Sequence, residues 1–253
     1  MVISFLIAER NRHLERISVL EQPELARTGL SRSRWHLGKA PILLALACLA
    51  GLCWGFRRPW FQGNLGVVDP GRVIRSAQPT TELDHWVRDY QLKSILNLRA
   101  GSQEDWWYEA EVRTAEANGL SFYDLPLSAT RRPRRHELLK LIDLFQECPY
   151  PLLIHCKSGA DRTGLASALY LMVRRGEAPE RAEHAFSIEF GHIPFGGSEH
   201  LHEPIDEYGA WLKTHQLTHT PERFRVWVKN EYRDEDPSSD PPPLKPGPRV
   251  HKH

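Results

Sequence analysis

The sequence predicts an α/β fold, a central and mostly parallel sheet flanked by helices, preceded by an N-terminal transmembrane helix. Three observations carry this. From about Gly71 onward, short apolar runs of strand length alternate with longer helix-like stretches, the order that builds a parallel sheet. The apolar run "PLLIH" (151–155) opens into a Gly-containing turn and then a helical pattern, as a buried strand feeding a helix does. Ahead of both lies "APILLALACLAGLCWGF" (40–56), which carries no charge.

Residues 1–39 form a basic segment with seven Lys/Arg. The apolar run that follows is uniform on every face, unlike an amphipathic surface helix. At about 1.5 Å per residue it spans roughly 25 Å, near the lower limit for a bilayer. Its long lead favours an uncleaved anchor over a signal peptide. Arg32, Arg34 and Lys39 precede the run, and Arg57 and Arg58 follow it. The positive-inside rule then gives a single-pass membrane protein with a cytoplasmic N-terminus and an exported, periplasmic C-terminal domain.

Residues 57–66 read as a Gly- and Pro-punctuated linker, and a domain is expected over 67–233. Within it "GRVIRSAQP" (71–79) holds a short strand stopped by Pro79, and Thr80 or Thr81 caps a helix through "ELDHWVRDY". "KSILNLR" (93–99) is a buried strand. Ser102 caps "QEDWWYEAEVRTAEAN", Gly119 ends that helix, and "LSFYDLPL" (120–127) is the next strand. Leu138, Leu141, Ile142 and Phe145 recur at helical spacing over 134–147. Leu165, Leu169 and Met172 mark a helix ending near Gly176, and Pro179 and Pro221 suit first helical positions. Residues 234–253 are Pro-rich with little to bury, so disorder is expected there.

Composition excludes several classes. The net charge of +1 gives no field for nucleic acid. Four cysteines in 253 residues are no disulfide scaffold, and none has zinc spacing. His200 and His202 form an isolated H-x-H that reads as a loop feature. No metal or cofactor is expected.

The stretch "HCKSGADRTG" (155–164) concentrates chemistry. A strand ends at His155, a turn follows over Cys156, Lys157, Ser158, Gly159, Ala160 and Asp161, and a helix starts near Arg162. Consecutive backbone N–H groups in such a turn converge on an anion, and the helix N-terminus adds its own. Gly159 allows the tight fold, and Arg162 offers a planar fork for two oxyanion oxygens. A thiol beneath that pocket meets the same field, which favours the thiolate. Cys156 is therefore read as a nucleophile, with Thr163 as a hydroxyl donor to it and His155 as a residue that orients the loop. A buried, inert cysteine is the plain alternative.

The stretch resembles the H-C-x5-R-[ST]-G signature of the cysteine-dependent protein tyrosine and dual-specificity phosphatase superfamily. Looser similarity runs from about Gly71 to Trp211, and "VIRSAQP" and "SILNLR" look like opening segments of bacterial dual-specificity-like members. The resemblance implies a cysteine-phosphatase-like fold and metal-independent hydrolysis through a cysteinyl-phosphate. It also raises the question of the general acid. In many members an Asp on a separate loop serves, but the matching stretch "PLSATRRPRRH" (126–136) has no carboxylate. Asp161 stands immediately before the loop Arg, as in myotubularin-like and certain bacterial relatives, and is read as the acid. Asp124, inside a strand, is the alternative.

Arg131, Arg132, Arg134 and Arg135 cluster at a helix start, where positive charge is disfavoured, and so read as a substrate rim or as a solvated face. Lys157 resembles the Lys at the same position of a tumour-suppressor phosphoinositide phosphatase. The substrates expected are phosphotyrosine, phosphoserine or phosphothreonine proteins, with a phosphoinositide or other polyanionic phosphoester as the alternative. A non-catalytic phosphate-binding pseudophosphatase and a sulfur transferase are the competing classes. Glu189 and His192 are read as packing residues, with placement of the hydrolytic water as their second reading. Cys148 is the nearest thiol for a protective disulfide with Cys156.

Overall fold

The computed structural model describes residues 40–55, 62–234 and 250–251. The apolar run forms helix α1 (Ala40–Gly55) of 16 residues. No helix among the described residues is long and apolar enough to cross a membrane. At about 1.5 Å per residue α1 falls short of the ~30 Å hydrocarbon core. This corrects the expected transmembrane helix, and the expected membrane location and exported orientation fall with it. The basic segment 1–39 lies outside the described residues.

The domain is a sheet between two helical layers. Its strands are β1 (Gly66–Asp69), β2 (Val73–Ser76), β3 (Ser94–Asn97), β4 (Ser121–Asp124), β5 (Leu152–His155) and β6 (Val250–His251), in the order β1-β2-β5-β3-β4-β6. The four inner strands are parallel, while β1 and β6 pair antiparallel at the edges. The sheet is thus mixed, with the predicted parallel core. β6 comes from the tail expected to be disordered; the rest of that tail beyond Asp234 lies outside the described residues.

The helices are α2 (Leu83–Asp89), α3 (Trp106–Ala117), α4 (Arg135–Glu147), α5 (Asp161–Arg175), α6 (Pro179–Ala182), α7 (Glu203–Thr214) and α8 (Pro221–Asn230). Strand periodicity sorts the core into two faces. Ile74, Ile95, Phe122 and Leu153 pack with Trp86, Trp107 and Tyr108 of α2 and α3. Val73, Leu96, Tyr123, Leu152 and Ile154 pack with α4, α5, α7 and α8 through Leu141, Phe145, Leu169, Tyr208 and Phe224. Caps differ from expectation in detail: Glu82 and Asp105, not Thr80/Thr81 and Ser102, precede α2 and α3. Ser102 instead donates to Asp105 through its backbone N–H at 2.9 Å. Pro179 and Pro221 do open α6 and α8, and Gly176 ends α5 with φ +67°.

All four parallel strands end at one edge, where open α/β sheets bind ligands. β5 lies in the middle, and its end feeds α5.

Candidate active site

The loop after β5 runs from Cys156 to Ala160 and passes directly into α5 at Asp161. Gly159 makes the turn with φ +72°. A Cβ there would lie 2.5 Å from Ala77 N and 2.6 Å from Ser76 C and O, so only glycine lets the loop rest against β2. Cys156 is buried, and Gly159 N–H points at its Sγ from 3.3 Å. The N–H thus meets the sulfur just ahead of the 15-residue helix α5.

The loop is held from behind by residues far away in sequence. Arg75, buried in β2, donates through Nη2 to the carbonyls of Gly159 (2.8 Å) and Ala160 (3.2 Å) and through Nη1 to Ala185 (2.6 Å). Its guanidinium lies over the Phe190 ring at 3.9 Å. Asn64 Nδ2 donates to the carbonyls of Ser158 and Phe190, each at 2.8 Å. Gln78 N–H donates to Lys157 O at 3.2 Å. With its carbonyls turned outward and bonded, the loop is free to turn its N–H groups inward. Lys157 and Ser158 have exposed side chains.

His155 lies fully buried with its Nε2 2.6 Å from Oε1 of Glu111 in α3. Glu111 also accepts from Gln78 Nε2 at 2.6 Å. This ties β5, α3 and the segment after β2 together, consistent with a loop-orienting role for His155. Arg162 is half-buried, and its Nη1 sits 3.4 Å from the carbonyls of Leu98 and Leu127, which fixes the guanidinium beside the cradle. Thr163 departs from expectation: its Oγ1 is buried without a hydrogen-bond partner, so no bond to the Cys156 sulfur is formed.

Of the two carboxylates weighed as acid, Asp124 is spoken for. Its Oδ1 accepts from Asn97 Nδ2 at 2.9 Å, and its Oδ2 accepts from the Tyr108 hydroxyl. Burial pushes its pKa up, against the pull of those two bonds. Asp161 is different. It opens α5, and its side chain is 25% exposed. One oxygen, Oδ1, faces His192 Nδ1 at 2.7 Å.

Three of the four clustered arginines, expected as a rim or a solvated face, are bonded within the domain. Arg131 Nη2 pairs with Glu137 at 2.8 Å. Arg132 reaches Glu203 at 2.9 Å and Glu207 at 2.5 Å, and lies over the Tyr232 ring. Arg135 donates to the Tyr232 carbonyl at 2.8 and 3.0 Å. The side chain of Arg134 is exposed. Helix-start charge is offset here by Glu137, which reaches back to Arg134 N–H at 2.7 Å.

Sequence reasoning missed Arg99, Arg75, Asn64, Gln78 and Glu111. Arg99 follows β3 at the same edge as Cys156. It stacks on Trp107 at 3.6 Å and donates to Gln78 at 3.3 Å. Its pKa is lowered, mainly by burial and in part by the neighbouring Arg162 charge. Two guanidinium groups thus share this end of the sheet. The disulfide idea is also corrected. Cys148 precedes β5 and Cys156 follows it, so a strand of four residues, about 13 Å, separates their ends, well beyond disulfide reach. Burial pushes the Cys148 thiol up to about 12.

A parallel sheet whose central strand delivers a cysteine into an N–H-lined turn, with an arginine fork at the helix start, defines the cysteine-based phosphatases of dual-specificity and tyrosine type. Residues 64–194 match the family described as "DSP-PTPase phosphatase fused to NAD+ Kinase", and the chain belongs to that family. It is similar to the dual specificity protein phosphatase TpbA of Pseudomonas aeruginosa strain PAO1, 27% identical over 168 residues, 63% of this chain and 71% of that protein. The TpbA of strain UCBPP-PA14 is 30% identical over 106 residues, 41% of this chain and 44% of that protein. Solved structures that align with the chain include P. aeruginosa TpbA, at 21% identity and a TM-score of 0.43, covering 66% of this chain and 96% of that one.

Proposed function

We propose that the protein hydrolyses phosphomonoesters on phosphotyrosine, phosphoserine or phosphothreonine proteins through a cysteinyl-phosphate, with Asp161 as general acid. The Cys156 thiolate attacks phosphorus while the P–O bond to the leaving group breaks, and the leaving oxygen takes the Asp161 proton. A water then attacks phosphorus, giving a proton to Asp161 as the new P–O bond forms and the P–S bond breaks, so that phosphate departs and the Cys156 thiolate is restored. Arg162 and the loop N–H groups hold the equatorial oxygens, where charge spreads in the transition state. The observation that carries the reading is the Gly159 N–H directed at Cys156 Sγ from 3.3 Å in a loop braced by Arg75. Asp161 is favoured over Asp124 because both Asp124 oxygens already accept hydrogen bonds from Asn97 and Tyr108.

A second reading, a phosphoinositide or other polyanionic phosphoester as substrate, draws on the exposed Lys157 and on Arg99 beside Arg162. Phosphate release from a panel of phosphopeptides and phosphoinositides separates the two. Wild type is expected to turn over and Cys156→Ser to be inactive on every substrate. A Cys156→Ser variant that keeps wild-type turnover refutes the mechanism, and a wild type inactive on all of them leaves a phosphate-binding module in its place.

A further inference from the structure

A chain of four titratable side chains leads away from the loop. His192 Nδ1 lies 2.7 Å from Asp161 Oδ1, His192 Nε2 lies 2.7 Å from His202 Nε2, and His202 Nδ1 lies 3.0 Å from Glu183 Oε1. His192 is buried, with 4% of its side chain exposed. The Phe186 ring stacks on His202 at 3.9 Å and tilts against His192 at 4.8 Å, so both imidazoles are fixed in plane as well as in distance. The outer end is open: the Glu183 side chain is 39% exposed. It lines a cleft with Glu180, Asp206 and Lys213. Asp206 is the other carboxylate that faces His202 and Glu183.

The donors follow from the partners. An Asp161 carboxylate only accepts, so His192 Nδ1 carries the hydrogen. His192 Nε2 is then an acceptor in the neutral ring, and His202 Nε2–H donates to it. His202 Nδ1 then faces Glu183 Oε1 at the outer end of the chain. The first link occupies Oδ1 of Asp161 and sets the torsion of its carboxyl group. Oδ2 is left as the oxygen that holds the proton delivered to the leaving group.

We propose that His192 is a positioning residue for Asp161, held in its tautomer and plane by His202, Glu183 and Phe186. The proposal rests on Asp161 being the acid. A positioned acid matters most when the leaving group is a poor one: an alkoxide needs its proton, whereas p-nitrophenolate does not. The loss should therefore depend on the leaving group, and a loosened fold would not produce that dependence.

The experiment compares kcat for a phosphoserine peptide with kcat for p-nitrophenyl phosphate and follows the ratio of the two. His192→Ala should lower the ratio at least ~10-fold, within the range for loss of acid catalysis. His192→Asn, whose side-chain amide can still donate to Asp161, should restore most of it. Glu183→Ala, at the exposed end of the chain where folding is not at stake, should lower the ratio by a smaller factor than His192→Ala, by freeing His202. An unchanged ratio in both His192→Ala and Glu183→Ala overturns the proposal, as does an equal loss in His192→Asn and His192→Ala. Asp161→Asn tells the two failures apart. If it lowers the ratio and His192→Ala does not, only the positioning role is lost; if it leaves the ratio unchanged, the acid assignment beneath is wrong.

Discussion

In the β5–α5 loop, the side chains that carry chemistry sit in consecutive positions and are braced by distant residues. In the β4–α4 connection (125–134), at the same end of the sheet, the charged side chains brace the chain itself. Arg75 and Asn64 bind the loop's carbonyls from behind. Arg131 and Arg132 instead spend their charge on Glu137, Glu203 and Glu207. The difference bears on the proposed acid. A connection tied into ion pairs, with no carboxylate past Asp124, offers none of its own, which supports the proposal that the first residue of α5 serves.

The sharpest way to break this contrast is Gly159→Ala. The new Cβ would meet backbone atoms of Ser76 and Ala77 at 2.5–2.6 Å in a residue already at φ +72°. Neither neighbour can swing aside, because both are main chain beside a central strand. The loop must shift, and a displacement near 1 Å at the reacting centre costs on the order of 100-fold in rate. We expect kcat/KM for p-nitrophenyl phosphate to fall by about that factor. A loss under threefold would mean that the close approach to β2 does not shape the cradle.

How much of this was legible in the sequence follows from the same contrast. The loop was readable because its parts are contiguous: one strand end, one turn and one helix start hold the cysteine, the glycine and the arginine. The strands and helices were readable from their apolar periodicity. The bracing residues were not, because each acts across a long separation; Arg75 and Gly159 are 84 positions apart. One signal was present and went unread. Arg75 lies in "VIRS", where all four residues are buried, and a charge in a wholly buried strand must be paired or bonded. For His192 and His202 no sequence signal existed, since their relation to Asp161 depends on how the segment after α6 folds back over α5. The apolar run misled because uniform hydropathy was read without enough weight on its length.

On the other side of the contrast, Arg132→Ala should act on stability rather than on turnover. The side chain is 11% exposed and bridges α7 to the start of α4 through Glu203 and Glu207. Hydrogen bonds to charged groups contribute about 1.5–3 kcal/mol when buried. Glu207 is nearly half exposed, so solvent screening reduces this to about 1–2 kcal/mol. An unfolding free energy from urea denaturation lowered by that amount, with kcat/KM on an aryl phosphate unchanged, is the expected result. A raised KM for polyanionic substrates at unchanged stability would restore the substrate rim for this residue.

The smallest effect concerns Asp124, where the two regions meet. Burial raises its folded pKa above the unfolded value of about 3.9. The folded state therefore binds the proton more tightly, and stability from this group is fully present below the unfolded value. It is lost as pH rises through the folded value. The urea midpoint of wild type should carry this downward component with rising pH, and Asp124→Asn should remove it. The same variant tests the acid assignment from the opposite side. An Asp124 that only joins β4 to Asn97 and Tyr108 will change the pH slope of stability and leave the phosphoserine to p-nitrophenyl phosphate ratio alone. If the ratio falls and the slope stays, proton delivery belongs to the β4–α4 side after all, and the chain from Asp161 to Glu183 has a purely structural purpose.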